Sequence, residues 1–73
     1  MSDSVIHQNP DILGGTPVFR GTRVPVRILF EHLKAGDSLD VFLTDFPSVS
    51  HEQALEVLRQ ALEHLTDADE VAA

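Results

Sequence analysis

The sequence predicts a small, mainly α-helical domain in which three helices follow short N-terminal β-strands. Two observations carry this prediction: a turn-rich, extended segment over residues 5–26, and three successive apolar patterns of helical period over residues 26–65. The length of 73 residues fits one domain. Such a chain buries only about 60% of its unfolded surface, so its core is small. Self-association, most simply as a homodimer, is therefore an expected source of stability.

The N-terminal segment is predicted to form a hairpin around one turn. Val18 and Phe19 make a short extended run before Gly21, and residues 24–26 make another after it. Glycine accepts positive φ without steric cost and therefore suits the turn. Pro25 has no N–H, so the second run is expected to be an edge strand or the first turn of a helix. Further upstream, Val5-Ile6 begins another short extended run, and Asn9-Pro10-Asp11 and Gly14-Gly15-Thr16-Pro17 predict turns.

Each predicted helix places apolar residues at i, i+3, i+4 and i+7, the spacing of one helix face. Helix one covers residues 26–35, and helix two follows Ser38 as its N-cap and stops at Pro47. Helix three follows Ser50, whose spacing to Gln53 is that of a capping box. The apolar stripe of helix three comprises Ala54, Val57, Leu58, Ala61, Leu62 and Leu65.

The chain is predicted to divide into a disordered N-terminus (1–4), one domain (5–65) and an acidic tail (66–73). Helicity is expected to fade after Leu65, leaving the tail frayed. Two helices joined by a tight connection, with one helix before them, give a helix-turn-helix-like bundle. The same layout occurs in bundles that never touch DNA, so it does not assign a function.

The net charge of −7 is unevenly distributed along the chain. Residues 1–34 hold four basic side chains against three acidic ones, whereas residues 35–73 hold one basic side chain against nine acidic ones. Charge-driven, non-specific binding of DNA by the whole protein is therefore disfavoured. The acidic C-terminal half suits a basic partner, although acidic surface often serves solubility alone.

Enzymatic and cofactor chemistry find no support in the residues. The chain has no cysteine, no phosphate-cradling glycine loop and no paired nucleophile and base. The histidines form no closely spaced ligand set, so neither a metal nor a cofactor is expected: His7, His32, His51 and His64. No secretion signal or membrane span is expected, which favours a cytoplasmic protein. The lack of a catalytic motif favours a protein that is not an enzyme.

Three arginines near the predicted turn are the candidate DNA contacts. Guanidinium groups suit phosphates and base edges, and Arg20, Arg23 and Arg27 fall within eight residues. The alternative is that they pair with acids of this chain or of a dimer partner. Helix three, the usual recognition helix, is a poor DNA contact, because its exposed stripe is dominated by carboxylates: Glu52, Glu56, Arg59 and Glu63.

The run from Asn9 to Val26 resembles the signature of domain-of-unknown-function family four hundred and thirty-three. Gly36-Asp37-Ser38, Phe46-Pro47-Ser48-Val49 and the Ala/Leu-rich last helix fit the same family, so the resemblance covers roughly residues 5–65. The motif residues that it carries over are Gly14, Gly15, Pro17, Gly21, Thr22 and Arg23. The resemblance implies a helix-turn-helix-like antitoxin of a type II toxin–antitoxin pair. Such a protein binds and silences a PIN-like ribonuclease toxin and represses its own operon.

Three functional hypotheses follow. In the first, an antitoxin-like module covers the ribonuclease with its acidic half, through Glu52, Glu56, Glu63, Asp67, Asp69 and Glu70. In the second, a repressor without a toxin partner binds operator DNA through Arg20, Arg23 and Arg27, exposed together and doubled in a dimer. In the third, a self-associating scaffold pairs its N-terminal strand edges and buries Val18, Phe19, Val24 and Val26 between subunits.

Overall fold

The structure of the protein is a computed structural model, which describes the backbone of residues 4–72 and the side-chain surroundings of residues 4–66. The elements in chain order are β1 (Ile6–His7), a 3₁₀ turn (Leu13–Gly15), β2 (Val18–Phe19), α1 (Val26–Lys34), α2 (Leu39–Asp45) and α3 (His51–Ala72). The predicted fold class, three helices after a short antiparallel pair of strands, is confirmed.

Strand β2 is covered on both of its edges. On one edge it pairs with β1 in antiparallel register, with Ile6 opposite Phe19. On the other edge Val18 faces Pro25 in an isolated antiparallel bridge. The flanking bonds run from Phe19 N–H to the carbonyl of residue 24 and from the N–H of residue 26 to the carbonyl of Pro17. Pro25 therefore occupies a non-hydrogen-bonded position, where its missing N–H leaves no partner unsatisfied.

The turn between β2 and α1 depends on the Thr22 hydroxyl. Thr22 N–H donates to the Phe19 carbonyl at 2.9 Å, and its Oγ1 donates to the same carbonyl at 2.8 Å. Oγ1 also accepts the Val24 N–H at 3.0 Å. Gly21 provides the positive φ, 82°, that the third position of such a turn requires. The predicted turn is thus held by one side chain as well as by the backbone.

One hydrophobic cluster joins the strands to all three helices. The Phe19 ring of β2 lies 5.8 Å from the Phe42 ring of α2, centroid to centroid. Phe42 lies 5.3 Å from Phe46 and meets the edge of His32, whose Nε2 is 3.2 Å from an Asp45 oxygen. The buried members of the cluster are Phe19, Leu29, Phe42, Val49, Ala54 and Val57.

This burial corrects the surface predicted for the scaffold hypothesis. Val18 and Phe19 are fully buried within the single chain, and Val24 and Val26 are partly buried. The two edges of β2 are already occupied by β1 and by the bridge at Pro25. Val18 and Phe19 therefore have no surface left to bury against a second subunit.

Helix α3 begins as predicted but packs over only part of its length. The Gln53 N–H donates to Ser50 Oγ and the Ser50 N–H donates to Gln53 Oε1, both at 3.0 Å, which confirms the capping box. Ala54 and Val57 are buried. Leu62 and Leu65, however, are 61% and 66% exposed, so the predicted core stripe leaves the core in its second half.

Helix α3 also continues to Ala72, whereas the sequence predicted that helicity would fade after Leu65. No glycine or proline follows Leu65, so nothing in the sequence stops the helix. The Thr66 hydroxyl donates to the Leu62 carbonyl at 2.9 Å, a bond compatible with helical backbone.

We predict that Thr22→Val destabilises the fold by about 1–2 kcal/mol, because it removes a hydroxyl that serves one carbonyl and one N–H. In a domain of this size each kcal/mol lowers the melting temperature by about 4–8 °C. Thr44→Val is the matched control, since Thr44 is exposed on α2 and has no side-chain hydrogen bond in the described residues. Thermal unfolding by circular dichroism measures both. Equal melting temperatures for the two variants would contradict the role of Thr22.

We predict that Leu29→Ala costs about 2–5 kcal/mol, because Leu29 is fully buried in the central cluster. Leu62→Ala is the matched control and should stay within about 0.5 kcal/mol of the parent, because most of its side chain already faces solvent. Urea unfolding of each variant gives the free energies. A loss at Leu62 comparable to that at Leu29 would mean that the second half of α3 packs on the chain.

Candidate functional site

The outer face of α3 carries a row of leucines that the core does not cover. Leu55, Leu58, Leu62 and Leu65 follow one another at intervals of three, four and three residues, which places them on one helix face. Leu58 packs partly against the core, whereas the other three are exposed. We call these four residues the leucine strip. Their spacing is that of a short seam suited to packing against another helix.

An acidic ridge, which we define as Glu52, Glu56, Arg59 and Glu63, lies beside the leucine strip. Arg59 Nε donates to one Glu56 oxygen at 3.0 Å and Nη2 to the other, while Nη1 pairs with Glu63. Gln60 donates to Glu56 at 3.0 Å. The hydrogen bond from Arg59, followed by that from Gln60, lowers the pKa of Glu56 to about 2. The pKa of Arg59 is raised by the same hydrogen bond. The ridge therefore keeps a net negative charge at neutral pH.

The acids predicted to contact a toxin differ in their surroundings. Glu52 is exposed in the first turn of α3 and has no ion pair among the described residues. Glu56 and Glu63 are joined through Arg59, so part of their charge is neutralised locally. The remaining three fall on side chains outside the described residues: Asp67, Asp69 and Glu70.

The three predicted DNA-contacting arginines do not form one patch. Arg20 Nε donates to the Ser4 carbonyl at 2.5 Å, and its Nη2 reaches the Ile6 carbonyl at 3.5 Å. Arg27 pairs with Glu31 at 2.9 Å along α1, which is the alternative that the sequence left open. Arg23 is exposed, and its side chain has no hydrogen bond or ion pair within the described part of the chain.

Arg20 and Arg23 border the same open concavity, which we call the turn groove. It has a volume of about 450 Å³. Arg27 borders a separate, almost wholly apolar groove beside Phe30. The residues lining the turn groove are His7, Ile12, Arg20, Gly21, Thr22 and Arg23. The groove thus brings together two of the three predicted arginines with a histidine that the sequence had not assigned to a site.

The other motif residues shape the backbone. Gly14 and Gly15 take φ values of 67° and 95° around the 3₁₀ turn, and the Pro17 carbonyl accepts the first N–H of α1. Leu13 has a φ of 51° and is half exposed. This conformation could not be predicted from the sequence, because αL backbone is unusual for leucine.

Among residues 4–66, no three histidine or acidic side chains approach one another closely enough to hold a metal ion. None of the helices within residues 4–72 combines the length and apolar character needed to cross a bilayer.

Known proteins share parts of this chain and its fold. The uncharacterized protein y4eO of Sinorhizobium fredii (strain NBRC 101917 / NGR234) is 47% identical over 49 residues. That match covers 67% of this chain and 22% of the relative, so the chain corresponds to about a fifth of that protein's length. The crystal structure of a DUF433 member from Anabaena variabilis ATCC 29413 superposes with a TM-score of 0.72 at 24% identity, covering 97% of this chain and 71% of that one. At this identity the likeness establishes the shared fold.

The family itself is established by its sequence model. The model described as "Protein of unknown function (DUF433)" matches residues 6–61, well over half of the chain. This range contains the whole glycine-rich motif and the hairpin turn, which confirms the resemblance drawn from those residues. The chain therefore belongs to the DUF433 family.

Proposed function

We propose that this protein is an antitoxin-like module that binds and neutralises a PIN-like ribonuclease, acting in the cytoplasm without enzymatic activity of its own. The single observation that carries the proposal is the leucine strip. Leu62 and Leu65 are 61% and 66% exposed on a helix that continues to Ala72. Apolar side chains aligned on one face of a projecting helix favour burial against a partner.

The spacing and the charge of α3 indicate what kind of partner fits. A row of leucines at intervals of three and four residues packs well against an apolar helix face or groove. The acidic ridge beside the strip favours a partner with basic residues at the rim of that groove. A ribonuclease that binds RNA through basic residues meets this requirement, because the same residues attract a carboxylate-rich surface.

The charge also bears on self-association through this face. Two copies joined at the leucine strip would bring two net-negative ridges toward each other, which disfavours the complex. The same ridge attracts a basic partner and so favours a complex with it. The homodimer predicted from the small core therefore remains a prediction, and we expect it to use a surface other than the leucine strip.

The primary experiment is co-expression of this protein with the product of its neighbouring gene, followed by co-purification and a fluorescent RNA cleavage assay. The proposal expects a stable complex whose nuclease activity is suppressed. A neighbour that is an active ribonuclease and neither associates with this protein nor loses activity would reject it.

We predict that Leu62→Ser with Leu65→Ser weakens the complex at least about 100-fold. Burial of one leucine contributes about 1.5–3 kcal/mol, so two contribute at least about 3 kcal/mol. Isothermal titration calorimetry measures the Kd. Val41→Ser is the control, because Val41 is also exposed, 43%, but lies on α2. An equal loss in the control variant, or no loss in the double variant, would place the interface elsewhere.

We predict that Glu52→Lys slows association by about threefold to tenfold at low ionic strength, and that the difference shrinks as salt rises. Glu52 is chosen because it pairs with no other side chain in the described residues, whereas changing Glu56 or Glu63 would also disturb Arg59. Asp40→Lys is the control, since Asp40 lies in the first turn of α2. Stopped-flow mixing gives both rates. A salt-independent or control-like effect at Glu52 would count against charge attraction by the ridge.

A further inference from the structure

The turn groove concentrates positive charge in a protein whose overall charge is strongly negative. The chain carries 12 acidic residues against 5 basic ones. No carboxylate is among the residues that line the groove, although Arg20 and Arg23 both are. The other arginines, Arg27 and Arg59, each pair with glutamate. The turn groove therefore differs from the surroundings of Arg27 and Arg59, because no carboxylate lines it.

The guanidinium of Arg20 contacts two main-chain carbonyl groups and keeps its charge. Its Nε and Nη2 atoms contact the carbonyl oxygens of Ser4 and Ile6, not a carboxylate. A carbonyl satisfies the hydrogen-bonding capacity of a guanidinium without neutralising it. Gln53 adds support by donating to the Arg20 carbonyl at 2.9 Å. The positive charge of Arg20 is thus fixed in position next to the turn.

Arg23 supplies the second charge, on the same turn. The Thr22 hydroxyl fixes the backbone on either side of it, through the Phe19 carbonyl and the Val24 N–H. Next to it, a side chain at Gly21 would meet no atom within 4 Å, so the backbone there is open to solvent. A ligand can therefore approach both the guanidinium of Arg23 and the main chain of the turn.

We propose that the turn groove is a binding site for a phosphate group of a nucleic-acid backbone, with Arg23 as its principal contact. A guanidinium fork binds phosphate oxygens bidentately, and an open groove of about 450 Å³ accommodates a phosphodiester with its sugars. Ile12 and the His7 ring provide apolar surface beside the charges. The contact reads no sequence; it positions the protein on the strand or duplex.

The neighbouring charges make Arg23 the stronger of the two phosphate contacts. Arg20 also borders a neighbouring groove that contains Glu52 and Glu56, whose negative charge offsets part of its attraction for phosphate. Arg23 does not border that groove. The site also differs from the recognition helix of a standard helix-turn-helix, because the acidic ridge of α3 repels phosphate whereas the turn groove attracts it. The inference goes beyond ribonuclease neutralisation and does not depend on it.

The test is a fluorescence-anisotropy titration of a short labelled DNA duplex, taken from the region upstream of the protein's own gene, at several salt concentrations. Arg23→Gln should weaken binding about tenfold and reduce the slope of log K against log salt by about one. Lys34→Gln is the matched control, because it removes the same charge from an exposed position at the end of α1 and should change both quantities little.

A second measurement identifies the ligand and the site. Amide resonances of Gly21, Thr22 and Arg23 are followed in ¹H–¹⁵N spectra during separate titrations with the duplex, with inorganic phosphate and with an acidic peptide. The proposal expects these amides to shift with the duplex in the parent and not in Arg23→Gln. It is overturned if Arg23→Gln binds DNA like Lys34→Gln, if only inorganic phosphate shifts the amides, or if the acidic peptide binds as tightly as the duplex.

The ribonuclease complex separates this inference from the proposed function. Because the leucine strip and the turn groove share no residue, Arg23→Gln should bind the ribonuclease as the parent does. Loss of DNA binding with the complex retained supports the groove as an independent site. Loss of both activities in Arg23→Gln contradicts two separate sites.

Discussion

The contact between Phe19 and Phe42 is the interaction on which the rest of the structure depends. It joins β2 to α2 with the ring centroids 5.8 Å apart, and both side chains are fully buried. Aromatic pairs of this kind bury large areas in a chain too short to build a second core. Leu29 completes the cluster from α1, and Ala54 and Val57 complete it from α3. With the core concentrated in one place, surfaces remote from it are free to serve binding.

Because the core is concentrated in one cluster, the two halves of α3 differ in their packing. The first half of the helix contributes Ala54 and Val57 to the cluster, and the capping box fixes where the helix starts. The second half contributes nothing to the described core and presents Leu62 and Leu65 to solvent. One continuous helix thereby connects the folded core to an exposed apolar surface. A partner that covered this surface, as we propose, would stabilise the folded chain by mass action.

The sequence predicted the elements well because their signals are local. The turn at Gly21 and Thr22, the Ser50 cap and the apolar period of the helices depend on neighbours a few residues apart. Whether each residue of the apolar stripe is buried depends instead on how far the core extends along α3. The periodicity of the sequence does not show that extent. Leu62 and Leu65 therefore fitted the pattern of Ala54 and Val57 and yet lie outside the core.

The sequence predicted which residue types form the candidate sites better than it predicted which of those residues lie together. Arg20, Arg23 and Arg27 stood out by charge, but only the backbone path shows that Arg20 serves two carbonyls and that Arg27 lies within reach of Glu31. The leucine strip could be found in the sequence, because its members recur at intervals of three, four and three residues and therefore share one helix face. The intervals do not show that this face lies outside the core, since Leu62 and Leu65 also belong to the stripe that was predicted to be buried.

The bonds around β1 have a consequence for how this protein meets other chains. Ile6 N–H donates to Ser4 Oγ at 3.2 Å, and the Ile6 carbonyl lies 3.5 Å from Arg20 Nη2. The outward-facing groups of the short outer strand are thus occupied by the chain itself. An incoming strand would have to displace a charged side chain before it gained its first main-chain bond, which protects the sheet against strand addition and amyloid-like stacking. The protein is in this sense closed to strand pairing at the outer edge of β1 and open along its last helix, so we expect it to meet other protein chains through side chains.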